Sequence, residues 1–193
     1  MTKIIREKSE ILPLVAEAFR ALGYEGASFS RITKLTGISK GSLFHFFPGG
    51  KEQMAAEILV EINNWFVTNI YLPLETGEPM AALSLMWAQT GRYFHSGGRV
   101  CLVGAFAMDA TRDYFQVAIH DYFTRWIQAL ACCLGRAGVD AAQAAAFAEQ
   151  AVLNIQGGLV LARAVNDEAV FARTLQRLAA EAEALLACQN PPR

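Results

Sequence analysis

The sequence lacks a long hydrophobic run. Its most membrane-like uncharged stretch, Val100–Met108, is far shorter than the ~20 residues that a membrane-spanning helix needs. The first residues also lack the basic segment and following apolar segment that are typical of an export signal. We therefore expect a cytoplasmic protein with no membrane partner.

Residues for metal, redox or cofactor chemistry are scarce and scattered. The cysteines lie at positions 101, 132, 133 and 188, without C-x-x-C spacing. The histidines lie at positions 45, 95 and 120, far apart and without metal-ligand spacing to cysteine or acidic residues. The sequence contains neither a G-x-G-x-x-G motif nor a phosphate-binding loop. We expect no metal and no cofactor.

One short match to a catalytic motif follows a helical segment, which does not fit that motif. Residues Gly37-Ile38-Ser39-Lys40-Gly41 fit the G-x-S-x-G pattern of serine hydrolases, which requires a strand before the serine. Residues 31–36 instead have helical spacing. We therefore expect no catalytic residues and no enzyme activity.

Lysine is absent after Lys51. Residues 1–51 carry eight positive and four negative side chains, a net charge of +4, whereas the remainder carries nine arginines and fourteen acids, a net charge of −5. A basic segment joined to an acidic one indicates that the basic segment binds phosphates. On charge alone, a chance excess of solvated lysines is the alternative.

Helical spacing of apolar residues is what the sequence has in abundance. No strand-like alternation persists with turn signals on both sides, so the pattern predicts an all-α protein of about nine helices. We expect a three-helix head at residues 1–50 and a larger helical body at residues 51–193. The last two helices should begin at Asp140 and Asp167.

Two prolines set expected helix limits. We expect the first helix over residues 11–22, with Pro13 in its first turn, where the missing N–H does no harm. The helix that begins at Lys51 is expected to end at about Tyr71, before Pro73.

Residues 28–51 contain two short helical segments separated by a tight turn. Ser28 and Ser39 are candidate N-caps, and Gly37 can adopt the positive φ that the turn needs. This pattern predicts a helix-turn-helix whose second helix reads DNA. The residues expected in the head core are Phe29, Ile32, Leu35, Leu43 and Phe47.

A longer set of residues matches a known signature in order and spacing: Gly23-Tyr24, Ala27-Ser28, Ile32, residues 37–43, Phe47-Pro48 and Lys51-Glu52. The run resembles the DNA-binding signature of TetR-family transcriptional regulators. The Ile11-Leu12-Pro13 start and the FPGGKE run resemble the LmrA/YxaF-type branch. Three positions depart from the family pattern. Phe44 stands where Tyr is usual, so a phosphate-contacting hydroxyl is missing; Phe46 stands where His is common; and Gly49-Gly50 is one residue longer than usual.

The resemblance implies a ligand-responsive transcriptional repressor that binds double-stranded operator DNA as a homodimer. Lys40 and Lys51 are expected at phosphates, and Ser42, Phe44 and His45 at base edges or thymine methyl groups. The full set expected at the DNA is Ser28, Arg31, Ser39, Lys40, Gly41, Ser42, Phe44, His45 and Lys51.

The body is rich in large aromatic residues, and the resemblance implies that it holds a pocket for a small apolar or aromatic effector. The expected lining residues are Trp65, Trp87, Phe94, Phe106, Tyr122 and Trp126. Ordinary core packing is the alternative for each of them.

The last two helices carry many small residues, which allow close helix approach. We expect two copies to form a four-helix homodimer interface through them, with packing within one chain as the alternative.

Two further functions stay open at this point. Cys101 follows Arg99, which could favour a thiolate, so a redox-sensing or electrophile-sensing regulator is one alternative to a structural cysteine. The missing hydroxyl at Phe44 leaves room for a helical ligand carrier that has lost DNA binding.

Overall fold

The computed structural model of the protein describes residues 7–108 and 110–189. No described residue forms a strand, and helices are joined by short turns, so the predicted all-α class is confirmed. None of the helices in these ranges combines the length and the hydropathy that a membrane span requires.

The helices are numbered in chain order. They are α1 (Lys8–Gly26), α2 (Phe29–Thr36), α3 (Lys40–Phe46), α4 (Gly50–Phe66), α5 (Leu72–Thr76), α6 (Pro79–Tyr93), α7 (Leu102–Ala107), α8 (Gln116–Arg136), α9 (Ala141–Val165) and α10 (Ala169–Gln189). A π-helical turn at Val67–Tyr71 and 3₁₀ turns at His95–Gly97 and Ala110–Phe115 complete the helical segments.

The chain folds into two compact units. The head unit contains the described residues up to Asn63 together with Leu102–Ile119, and the body unit contains Asn64–Cys101 and the described residues from His120 onward. Helices α4 and α8 each contribute residues to both units. The predicted functional division at residue 50 stays a prediction.

Helix α1 begins earlier than the sequence predicted. The Glu10 carboxylate accepts the backbone N–H of Glu7 at 3.2 Å, which is one half of a capping box and starts the helix at Lys8. Pro13 therefore lies in the helix interior, and the expectation that it occupies the first turn is wrong. Near its end the segment bends at Gly23, whose φ is 69°.

The helical segment from α4 continues past Pro73. At the π-helical turn, the N–H of Leu72 donates to the Val67 carbonyl, five residues earlier. This turn ends one helical register and starts the next, so Pro73 falls near the N-terminus of α5, where its missing N–H is not needed. At Tyr71 the hydrogen-bonding register of the helix changes, but the helical segment continues to Thr76. The expectation that the helix ends at Tyr71 is therefore wrong.

The interior of the helix-turn-helix differs from the prediction at two residues. Ile32, Leu43 and Phe47 are fully buried as expected, and each contributes roughly 1.5–3 kcal/mol by leaving water. Leu35, in contrast, is 56% exposed, because α2 has only two turns and Ile38 beyond the corner is buried instead. Phe29 is only half-buried, so its assignment to the core is also wrong.

The last two helices lie close to their predicted positions. The Asp140 carboxylate accepts the N–H groups of Ala142 and Gln143 at 3.0 and 3.2 Å, which caps α9 as expected. Helix α10 begins at Ala169 and packs against α9. A Cβ at Gly158 would lie 3.3 Å from Oγ1 of Thr174, so this glycine permits the close approach of the two helices.

Candidate nucleic-acid interface

A serine caps each helix of the helix-turn-helix. The Ser28 hydroxyl accepts the backbone N–H of Arg31 at 3.3 Å, and the Ser39 hydroxyl accepts the N–H of Ser42 at 3.0 Å. Both predicted caps are present, and each stabilises its helix by about 1 kcal/mol because an otherwise unpaired N–H gains a partner.

The corner between the two helices is built from a glycine and a threonine. Gly37 has φ 69° and ψ 4°, the left-handed conformation that the turn needs, and its N–H donates to the Thr33 carbonyl. The Thr36 hydroxyl donates to the Ile32 carbonyl at 2.7 Å and accepts the N–H of Ile38 at 3.2 Å. The two hydrogen bonds of the Thr36 hydroxyl were not predicted from the sequence, because they form only with the corner itself.

Helix α3 presents an exposed face made of Lys40, Gly41, Phe44 and His45. These residues follow spacings of three and four, which place them on one side of a helix. Ser42 is half-buried, and its hydroxyl lies 2.9 Å from the Ser39 hydroxyl. The face therefore offers a cation, an imidazole and an aromatic ring, with little polar surface from Ser42.

Phe44 stacks on Phe29, a partner that sequence reasoning missed. The ring centroids are 4.2 Å apart and the planes are 9° from parallel. Phe44 remains 47% exposed, and the Lys40 ammonium lies 5.8 Å from the centre of its ring. The sequence predicts Phe29 in the head core. Helical spacing alone does not indicate that its ring contacts a residue of α3.

Lys51 already has partners within the head unit. Its ammonium lies 4.1 Å from the centre of the Tyr24 ring and 3.4 Å from the Glu25 carboxylate. The side chain is 27% exposed. A phosphate at Lys51 therefore competes with these contacts, and its predicted role stays a prediction.

All nine residues predicted at the DNA lie in the head unit. Of these, Ser28, Arg31, Ser39, Lys40, Gly41, Phe44 and His45 are exposed, whereas Ser42 and Lys51 are half-buried.

Around Phe66, the body unit gathers an aromatic cluster. The Phe66 ring lies 4.7 Å from Tyr122, 5.1 Å from Trp126 and 5.2 Å from Trp65, between ring centroids. Phe94 lies slightly farther away, at 6.4 Å. Four of the predicted effector-pocket residues are therefore brought together by a fifth ring that was not among them.

The other two predicted pocket residues are placed differently. Phe106 belongs to the head unit, where its ring lies 5.6 Å from Phe115 and 5.8 Å from Tyr24. Trp87 is half-buried on α6 in the body unit. The assignment of all six residues to one pocket stays a prediction.

Among the described residues, the Trp126 indole nitrogen in the aromatic cluster lacks a hydrogen-bond partner, and the Tyr122 hydroxyl has only the Cys101 thiol, a weak partner, beside it. Both side chains are buried, and an unpaired buried donor costs about 1–3 kcal/mol. Burial raises the pKa of Tyr122 well above its usual value, and the nearby Cys101 thiol raises it further. Tyr71 differs, since its hydroxyl donates to the Tyr122 backbone carbonyl at 2.9 Å.

Cys101 is 6% exposed. Arg99 donates to the Tyr93 carbonyl at 3.2 Å, and its guanidinium lies 4.9 Å from the centre of the Tyr93 ring. Burial limits the access of an oxidant to the thiol and favours a structural cysteine. The redox hypothesis stays a prediction.

Two family signatures match the chain. Residues 11–58 match the family described as bacterial regulatory proteins, tetR family, and residues 79–177 match the family described as transcriptional regulator LmrA/YxaF-like, C-terminal domain. The second match covers just over half of the chain.

This protein is a TetR-family transcriptional regulator of the LmrA/YxaF branch. The resemblance inferred from the sequence is thus confirmed, and so is the expectation that the protein is not an enzyme, because the family consists of regulators. The described part of this TetR-family chain brings no three His, Cys, Asp or Glu side chains together in a metal-binding group.

Individual relatives agree with this assignment. The chain is 32% identical to the uncharacterized HTH-type transcriptional regulator YxaF of Bacillus subtilis (strain 168) over 95 residues, which are 49% of this chain and 50% of YxaF. It is 40% identical to the HTH-type transcriptional regulator LmrA of the same organism over 58 residues, 30% of this chain and 31% of LmrA. The matched stretches thus span half or less of these relatives.

A TetR transcriptional regulator from Legionella pneumophila has a similar solved structure, with a TM-score of 0.76 over 91% of this chain and 97% of that one. At 21% identity, this similarity shows the shared fold alone.

Proposed function

We propose that this TetR-family regulator is a ligand-responsive repressor that binds operator DNA as a homodimer and leaves it when a small apolar or aromatic effector binds. The exposed face of α3 carries the proposal. It presents Lys40, Phe44 and His45 on a helix fixed by the Gly37 corner and the Ser39 cap. A short braced helix of this kind suits the major groove of DNA.

Lys40 supports the DNA-binding part of the proposal. Its side chain is exposed at the start of α3, and the only described contact near its ammonium is the distant Phe44 ring. An exposed ammonium at this position can displace a counterion from a phosphate, which makes binding depend on salt.

Replacing Lys40 tests this role. We expect Lys40→Ala to weaken binding to all duplexes and to lower the slope of log affinity against log salt by roughly 1.8, because the homodimer loses one phosphate contact, worth roughly 0.9, in each of its two protomers. The measurement is an anisotropy titration at several salt concentrations. Arg92→Ala, which removes one exposed positive charge on α6, is the matched control and should leave the slope unchanged. An unaltered slope in Lys40→Ala, or an equal loss in the control, would contradict a phosphate contact at Lys40.

The exposed side of α9 supports the homodimer. Leu153, Val160 and Leu161 are between 51% and 70% exposed, and Gly157 lies among them. Between α9 and α10 runs a groove of about 420 Å³, which Leu161, Gly157 and Arg173 help to line. Three large exposed apolar side chains on one side of a helix suit a partner surface, and a face shared by two helices can pair with its own copy about a two-fold axis.

A charge on this face tests the homodimer. We expect Val160→Glu to raise the dimer dissociation constant by roughly tenfold or more, because a buried unpaired charge costs well over the ~1.4 kcal/mol that a tenfold change requires. Analytical ultracentrifugation over a concentration series measures the constant. Val60→Glu on α4 is the control, since Val60 is also exposed, at 59% against 70% for Val160. A monomeric wild type, or equal effects of both variants, would contradict the assignment of α9.

The buried donors of the aromatic cluster support an effector site in the body. The Trp126 indole N–H can only donate, so a bound molecule with a hydrogen-bond acceptor would satisfy it. The surrounding rings favour an aromatic molecule without charge. For such a molecule to release DNA, it must bind the DNA-incompetent state more tightly. Helices α4 and α8 have residues in both units and are the elements through which such a change reaches the head.

Tyr122→Phe tests this site. Neutral aromatic ketones and phenols are first screened for a compound that dissociates the protein–DNA complex, and this compound serves as the effector. We expect the variant to weaken effector binding roughly 2- to 13-fold, the effect of one neutral hydrogen bond, and to leave thermal stability close to that of the wild type, because the lost hydroxyl had only the weak Cys101 thiol as a partner. The matched control is Tyr71→Phe, which removes a paired hydroxyl and should lower the unfolding free energy by about 1 kcal/mol. If Tyr122→Phe binds the effector with full affinity, the Tyr122 hydroxyl does not contact the effector.

A further inference from the structure

Phe44 is an aromatic side chain left 47% exposed on the outer face of α3. Its ring has no donor and no acceptor, so it can bond neither a phosphate oxygen nor the polar edge of a base. The exposed lysine, glycine and histidine around it are small or polar. Phe44 is therefore the apolar element of a face that otherwise suits polar contacts.

The orientation of this ring is fixed by Phe29. The parallel stack, with centroids 4.2 Å apart and planes 9° from parallel, covers one face of the Phe44 ring. Phe29 is itself held at the first residue of α2, directly after the Ser28 cap. The stack therefore spans both helices of the helix-turn-helix and limits the rotamers that Phe44 can adopt.

We propose that Phe44 reads the C5 methyl group of a thymine in each half of the operator, and that Phe29 is the positioning residue that holds its ring. The inference rests on the proposed DNA binding and adds base specificity to it. In the major groove, the thymine methyl is the apolar group among the edges of the four bases, so it is the feature that an aromatic ring can distinguish. A wedge between base pairs is disfavoured, because the ring would have to leave Phe29.

The experiment removes the methyl group and nothing else. A duplex that the wild type binds is taken from DNA upstream of the gene or from in vitro selection. Each thymine of one half-site is then replaced singly by uracil, and affinities are measured by anisotropy at fixed salt. For the wild type we expect one position at which uracil lowers affinity roughly fourfold, the effect of returning one methyl group to water.

Three variants assign that effect to the stack. Phe44→Ala should bind the thymine and uracil duplexes equally. Phe44→Tyr keeps the ring and should keep the discrimination, so it serves as the conservative rescue. Phe29→Leu fills much of the space of Phe29 but has no flat face, and it should reduce the thymine-to-uracil ratio while the melting temperature and binding to unrelated DNA stay close to wild type.

Each result has a distinct meaning. Absence of binding to any duplex would overturn the proposed function and this inference with it. Binding without a uracil effect at any position would overturn the inference alone, and so would a uracil effect that persists in Phe44→Ala. An unchanged ratio in Phe29→Leu would overturn the positioning role of Phe29.

Discussion

The left-handed backbone of Gly37 is the constraint on which the head depends. It ends α2, turns the chain and lets the Ser39 hydroxyl begin α3 two residues later. Ile38 is buried in this corner, and Leu43 and Phe47 then reach the interior. Lys40, Phe44 and His45 consequently face outward. The exposed face of α3 is thus a consequence of where one backbone torsion and two caps place the helix.

The body unit is governed by a different balance. Aromatic burial around Phe66 favours a packed interior, whereas the unpaired Trp126 N–H and the weakly partnered Tyr122 hydroxyl oppose it. A cluster that leaves donors unpaired is suited to a partner that brings acceptors, and this links the packing of the body to the proposed effector. In the head, Ile32, Leu43 and Phe47 are fully buried and apolar, while the buried Thr33 hydroxyl also lacks a hydrogen-bond partner among the described residues.

Local chemistry predicted much of this structure from the sequence. The Ser28, Ser39 and Asp140 caps depend on residues two or three positions away, and such patterns are readable without tertiary information. The predictions were wrong where contacts between residues far apart in the sequence determine burial. The exposure of Leu35 and the stack of Phe29 on Phe44 depend on how α2 meets α3, and helical spacing carries no record of it. The π-helical turn before Pro73 likewise depends on backbone register rather than composition.

The central claim is that the head binds a specific DNA sequence. Its most direct test is an anisotropy titration of the wild-type protein with DNA from upstream of its own gene, repeated at several salt concentrations and beside an unrelated duplex. The account predicts tight, sequence-dependent binding with a steep salt slope and two protomers for each operator. Weak binding that is equal for both duplexes would contradict it and would favour a helical ligand carrier that has lost DNA binding.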